Sequence, residues 1–109
     1  MKKIYISGPI SGLDKTVYEK NFSDAEKFIA ENMNQELTIV NPVRLTSHLS
    51  PVIHEWKQYM IPCIEELLSC SYVYMLDGWR KSKGSRVEHA IAKALNLRIS
   101  YQTPNIVEF

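Results

Sequence analysis

Two periodicities alternate along this chain, and that alternation restricts its fold more than any other feature. Lys3-Ile4-Tyr5-Ile6 is short, rich in β-formers and ends at Ser7-Gly8-Pro9. It reads as a buried strand followed by a glycine-bearing loop from Ser7 to Gly12. From about Thr16 to Met33 the period changes. Tyr18, Phe22, Ala25 and Ile29 are spaced four, three and four apart, with Phe28 and Met33 alongside and charges on the other face, which predicts an amphipathic helix. Leu37-Thr38-Ile39-Val40 is a second strand, stopped by Asn41-Pro42. Residues 43–52 read as a loop, with Ser50-Pro51 a candidate helix start. Trp56, Met60, Ile64 and Leu67 mark the next helical stripe, with Pro62 inside it. Tyr72-Val73-Tyr74-Met75-Leu76 is a third strand, ending at Asp77-Gly78-Trp79. A last helix carries Val87, Ala90, Ile91, Ala94 and Leu95 as its expected apolar face. Arg98-Ile99-Ser100-Tyr101 is a fourth strand, and Ile106-Val107 marks a candidate fifth.

Strands alternating with helices predict an α/β domain: a parallel sheet of four or five strands with helices on both faces. Such sheets bind ligands at the carboxyl ends of their strands, where the strand order reverses. Three segments converge there: the loop after Ile6, the Asn41-Pro42 corner, and the loop from Asp77 to Gly84. The start of the last helix joins them. With 109 residues the expectation is a single domain spanning 1–109.

Composition narrows the function classes. Apolar residues make up 45% and charged residues 23%, as in ordinary globular domains and unlike disordered chains. A net charge of +1 gives no overall reason to expect a nucleic-acid partner. No apolar run approaches the roughly 20 residues of a membrane span, and no signal-peptide pattern follows Met1. Cys63 and Cys70 lie seven apart in a segment that reads as helical, so they stand roughly 10 Å apart along the axis. A disulfide needs Cα atoms within about 7 Å. The expectation is a reduced, cytoplasmic protein.

The candidate motifs each admit two readings. Ser7-Gly8-Pro9-Ile10-Ser11-Gly12 offers backbone N–H groups and two hydroxyls to a ligand, or is a plain strand-to-helix turn. It is neither a P-loop nor a dinucleotide fingerprint. Ser82-Lys83-Gly84-Ser85-Arg86-Val87-Glu88 stands at a helix N-terminus, which suits a phosphate, with Lys81, Lys83 and Arg86 strengthening the field. Ser85-x-x-Glu88 is equally a capping box, which needs no ligand. Asp77 with Glu88 would pair two carboxylates for glycosidic-bond chemistry, or Asp77-Gly78 is a turn. His48, His54 and His89 show no metal spacing, no Gly-x-Ser-x-Gly elbow exists, and neither metal nor cofactor is expected. Trp56, Trp79, Tyr59 and Tyr101 fit a core or interface, though Trp79 lies in the ligand loop. Lys15, Lys20 and Lys27 fit a solvated helix face.

The Y-I-S-G-P-I-S-G loop, the N-P corner, the W-x-x-Y-M helix, the L-x-G-W strand end and the S-x-G-x-x-x-E helix start stand in one order over residues 3–100. Together they resemble the nucleoside 2-deoxyribosyltransferase superfamily, and within it a small bacterial and phage branch known only as a domain of unknown function. They are also similar to 2′-deoxynucleoside 5′-phosphate N-hydrolases. The resemblance implies a three-layer flavodoxin-like, Rossmann-like fold. It also implies cleavage or transfer at the N-glycosidic bond of a 2′-deoxynucleoside or its 5′-monophosphate, with no cofactor. By position it makes Glu88 the nucleophile and Asp77 a second acidic candidate. Ser82, Gly84 and Ser85 match the turn that binds phosphate or 5′-hydroxyl, with Arg86 beside it. Tyr5, Ser7, Gly8 and Ser11 match the loop facing sugar and base. Asn41 and Trp79 would line the pocket. Cys63 stands where members often carry Asp, which leaves a non-catalytic nucleotide-binding module as the alternative. Members of the superfamily complete their sites across a subunit interface. A chain this short is therefore expected to form at least a homodimer, with residues near Trp56, Tyr59 and the tail to Phe109 closing a neighbour's pocket.

Overall fold

The computed structural model describes residues 2–33, 36–49 and 55–103. The candidate helix start at Ser50-Pro51, His54 and the candidate fifth strand at Ile106-Val107 lie outside them.

Strand β1 (Lys3–Ser7) leads through the glycine loop to helix α1 (Lys15–Asn32), then β2 (Thr38–Val40), a short helix α2 (Pro42–Leu45), α3 (Trp56–Leu68), β3 (Tyr72–Met75), a 3₁₀ turn (Trp79–Lys81), α4 (Lys83–Ala94) and β4 (Arg98–Tyr101). All four strands pair parallel in the order β2-β1-β3-β4. This is the α/β architecture with helices on both faces that the alternation predicts, compatible with a three-layer flavodoxin-like fold.

The period of two along each strand sorts the core. Ile4 and Ile6 of β1, with Tyr74 and Leu76, turn to one face, where Phe22, Ala25 and Ile29 of α1 cover them. Tyr5 of β1, with Val73 and Met75 of β3, turns to the other, against Cys63 and Leu67 of α3 and Ala92 of α4. Ser7 is two residues beyond Tyr5 and so shares its face. The chain runs from β1 outward to β2 and later returns to β3 on the other side of β1. The crevice where the order reverses therefore lies at the carboxyl ends of β1 and β3.

Local signals explain most elements. Asn41 caps α2, its side chain accepting the Val43 N–H at 2.9 Å, and Pro42 occupies the first helical position, where its missing N–H costs nothing. This short helix replaces the expected loop. In α3, Gln58 accepts the N–H of the N-cap residue Glu55 at 2.7 Å, and the helix runs on through Pro62 to Leu68. Cys70 therefore lies beyond the helix end. Both cysteines are free and buried. Asn96 takes a left-handed conformation (φ 58°) just past α4, the usual way to turn a helix into the next strand.

Helix α4 departs from its expected orientation. Ala90, Ala94 and Leu95 of the anticipated apolar face are exposed. The buried face is instead Ser85, Glu88 and Ala92, at offsets of three and seven. The helix is rotated to bring a hydroxyl and a carboxylate inward while apolar side chains stay outside.

Candidate functional site

That rotation has a specific cause. Tyr5 and Ser7 aim two hydroxyls from the same face of β1 into the crevice. The Tyr5 hydroxyl donates to Glu88 Oε2 at 2.6 Å, and the Ser7 hydroxyl donates to Glu88 Oε1 at 2.6 Å. Each carboxylate oxygen thus has its own short, charge-assisted hydrogen bond. Tyr5 and Ser7 are fully buried, and Glu88 is 5% exposed.

Burial dominates the electrostatics. Desolvation holds the Glu88 carboxyl above its usual range, against the opposing pull of the Ser7 and Tyr5 hydrogen bonds. Tyr5 is pushed well above the ordinary phenol range, first by burial and then by the adjacent Glu88 charge, so its proton stays on oxygen and points at the carboxylate. Cys63 neighbours the Tyr5 hydroxyl. Burial pushes its thiol up to about 11, so it is a neutral neighbour to the single carboxylate of the trio.

The start of α4 lies one turn above Glu88. Ser82 is the N-cap, and its hydroxyl accepts the Ser85 N–H at 3.3 Å. The expected Ser85-x-x-Glu88 capping box therefore does not form. Ser85 is the third residue of the helix and Glu88 the sixth, in the second turn rather than the first. With capping done by Ser82, the burial of Glu88 needs another reason. Ser85 is 2% exposed, and its hydroxyl has no hydrogen-bond partner among the described residues. It shares the inward face with Glu88, nearer the mouth. A buried hydroxyl without a partner is uncommon.

Glycines fit the two backbones that meet here. A Cβ at Gly8 would stand 2.6–2.9 Å from Leu76 side-chain atoms, so β1 exits against the end of β3 only without a side chain. A Cβ at Gly84 would meet Met60 Sδ at 3.1 Å and Trp56 Nε1 at 3.7 Å. The W-x-x-Y-M segment of α3 thus packs over the mouth of α4. Lys83 stands over the Trp56 ring at 4.4 Å from its centre.

The remaining candidates stand apart from the trio. Asp77 is exposed; its carboxylate accepts the Thr103 hydroxyl at 2.6 Å, and its N–H is taken by Gln102. It shares no hydrogen bond with Glu88. Asn41 is spent on its helix cap and on donating to Glu26 at 2.8 Å. Ser11 and Arg86 are exposed. Trp79 stacks on His89 with ring centres 4.1 Å apart, and His89 Nε2 lies 2.8 Å from the Tyr101 hydroxyl. Trp79 in the ligand loop and Tyr101 in a core or interface match what the sequence suggests, whereas no local pattern joins His89 to them. A cavity of about 350 Å³ lies at the opposite, amino-terminal ends of the strands, lined by Ile4, Met33, Leu37, Tyr72, Arg98 and Ser100. It touches no residue of the trio. Among the described residues no cluster of His, Cys, Asp and Glu could hold a metal ion, and no helix is long and apolar enough to cross a membrane.

Fold and site together define a class: a parallel α/β domain holding one hydrogen-bonded carboxylate at its switch point, one turn from the N-terminus of a helix. Within that class the chain belongs to the family described as Domain of unknown function (DUF4406), which matches residues 2–101. A search of curated proteins finds no match.

Proposed function

We propose that this chain is a member of the nucleoside 2-deoxyribosyltransferase superfamily and that Glu88 attacks a 2′-deoxynucleoside or its 5′-monophosphate. The observation that carries the reading is the buried Glu88, each of its oxygens held by a hydroxyl at 2.6 Å at the crevice where such sheets bind ligands. One Glu88 oxygen forms a bond to C1′ of the sugar. The bond from C1′ to the base nitrogen breaks, and its electron pair leaves with the base, which takes a proton from water. Water or a second base then displaces the carboxylate, so configuration is retained overall. Tyr5 and Ser7 orient the carboxylate. Ser82, Gly84 and Ser85 supply the helix mouth for the 5′-hydroxyl or phosphate.

The test is incubation with each deoxynucleoside and its monophosphate, reading free base by chromatography. Base release that disappears in Glu88→Gln supports the reading. No release from any of them, or full activity in Glu88→Gln, overturns it.

A second reading has its own support. Asp77 stands outside the trio, and Cys63 beside it is neutral, so among the described residues no second carboxylate reaches Glu88 by hydrogen bond. A non-catalytic nucleotide-binding module fits that arrangement. Calorimetry separates the two: binding without base release, surviving in Glu88→Gln, favours the module.

A homodimer is part of the proposal. Ile61 and Leu68 of α3 are each 57% exposed and Leu95 of α4 is 46% exposed, apolar surface that a second copy would cover. A monomer by light scattering at working concentration counts against it.

A further inference from the structure

We propose that the cavity at the amino-terminal ends of the strands is a second ligand site, which takes a small carboxylic acid with an apolar body about the size of one aromatic ring. It lies at the end of the sheet away from Glu88, and the proposal does not depend on the nucleotide reading.

Strand pairing builds this cavity. Ile4, Tyr72 and Arg98 are direct register partners across β1, β3 and β4, so their side chains leave the same face of the sheet. Ser100, two residues beyond Arg98, shares that face. It is the face that α1 covers. The cover extends as far as β3, where Phe28 of α1 stacks on Tyr74 with ring centres 5.8 Å apart. Beyond it, Arg98 and Ser100 of β4 are exposed. The step from covered to bare sheet, lined also by Met33 and Leu37, leaves about 350 Å³.

The lining divides by chemistry. Ile4, Met33, Leu37 and Tyr72 are apolar or aromatic, and Ile4 at the floor is 1% exposed. Arg98 and Ser100 contribute a guanidinium and a hydroxyl. Lys2 adds a second cation, with its Nζ 5.8 Å from the centre of the Tyr72 ring. Neither Arg98 nor Lys2 forms a salt bridge among the described residues, whereas Lys3 is paired with Glu66. No acid lines the cavity, and Glu36, beside Leu37 in the chain, has an interaction of its own. Small-molecule sites have volumes of roughly 300–1,000 Å³ and are mostly apolar, with a few convergent polar groups. The two cations call for an anion, and the guanidinium fork matches the two oxygens of a carboxylate. The Ser100 hydroxyl can donate a further hydrogen bond to it. Inorganic phosphate would leave the apolar floor uncovered, and a plain hydrocarbon would leave the cations unused.

The experiment is titration of the ¹⁵N-labelled full chain with 3-phenylpropionate, followed by two-dimensional NMR. The amide signals of Leu37, Tyr72 and Ser100 should shift together to saturation, while those of Ser7 and Gly84 stay in place. The matched alcohol, 3-phenylpropan-1-ol, should bind about fivefold or more weakly, and acetate should not saturate. The advantage of acid over alcohol should shrink as salt rises. Arg98→Gln should erase that advantage and leave the affinity for the alcohol unchanged. Lys93→Gln, which removes equal charge from α4, should preserve it. Both positions are exposed, and the same spectra report that each variant is folded. Equal binding of acid and alcohol, an advantage that survives Arg98→Gln, saturable shifts confined to Ser7 and Gly84, or no saturable shift at all would each overturn the proposal. None of these results bears on base release at Glu88.

Discussion

Replacing Tyr5 by Phe removes one oxygen from the centre of the trio and little else. The energy it costs should depend on pH in a defined direction. Burial holds the Glu88 carboxyl above the usual carboxylate range. The folded protein therefore holds that proton more tightly than the unfolded chain does. The stability contributed by this group is full below the unfolded value, about 4.3, and is lost as pH rises through the folded value. The Tyr5 hydroxyl opposes the shift by donating to Glu88 Oε2 at 2.6 Å. Without it the folded value climbs further, and the loss with rising pH becomes larger. A hydrogen bond to a neutral carboxyl is worth about 0.5–1.5 kcal/mol, and one to a buried carboxylate about 1.5–3 kcal/mol. Tyr5→Phe should thus destabilise the fold by about 1 kcal/mol at pH 4 and about 2–3 kcal/mol at pH 8. Urea denaturation followed by circular dichroism between those pH values measures the gap. Each 1.36 kcal/mol by which it widens corresponds to about one unit of Glu88 pKa held down by Tyr5. A gap that is the same at both ends, or that narrows as pH rises, would refute the electrostatic account of the trio.

Other perturbations test the frame around it. Gly8→Ala should cost about 1–3 kcal/mol in denaturant stability, because the added methyl meets Leu76 Cβ at 2.8 Å as well as its flexible end; a neutral result would mean that β1 and β3 do not end in contact. Ser82→Ala should cost only about 0.5–1 kcal/mol, since its capping bond is long at 3.3 Å, whereas a larger loss would assign Ser82 a role beyond the cap. Burial holds both the Cys63 and Cys70 thiols at about 11. A thiol reagent at neutral pH should then react slowly with native protein and rapidly, at two sites, once urea unfolds it; rapid native labelling would contradict the packing.

Much of the fold was legible because periodicity is a local property. The runs at Lys3–Ile6, Leu37–Val40, Tyr72–Leu76 and Arg98–Tyr101 located four strands, and the parallel sheet followed from the helices between them. Glu88 and Ser7 were legible as candidates through the motifs they sit in. What local pattern could not deliver was the rotation of α4. Counted along the helix, Val87, Ala90, Ile91, Ala94 and Leu95 make the better apolar face. The helix turns the other way, and the Glu88 carboxylate accepts the donors that Tyr5 and Ser7 present from more than 80 residues earlier. Asp77 is the reverse case. Its placement at a strand end suggested chemistry, but Thr103 and Gln102, beyond the last strand, claim it. Asn41 was read as a ligand contact when the Asn-Pro pair was already a helix-start signal, and Glu26 of α1 fixes its amide from a distance.

The rotation also indicates whether the trio exists for stability or for chemistry, because the two make opposite predictions for its removal. Glu88→Met alone should be costly. It leaves the Tyr5 and Ser7 hydroxyls buried without an acceptor, at about 1–3 kcal/mol each. Removing all three polar groups together, as Tyr5→Phe/Ser7→Ala/Glu88→Met, leaves nothing unsatisfied and replaces a desolvated carboxylate with an apolar side chain of similar length. Exchanges of this kind are commonly neutral or stabilising by about 1–4 kcal/mol. If the trio serves a ligand, the triple variant should be at least as stable as wild type at pH 7, and more so at higher pH, while any base release or nucleotide binding that depends on Glu88 is lost. If it is instead a structural network, the triple variant should be less stable than wild type by about 2 kcal/mol or more, as the sum of two charge-assisted hydrogen bonds would suggest. Denaturation of the single and triple variants side by side decides between them. A destabilised triple variant would remove the main reason to look for chemistry at Glu88.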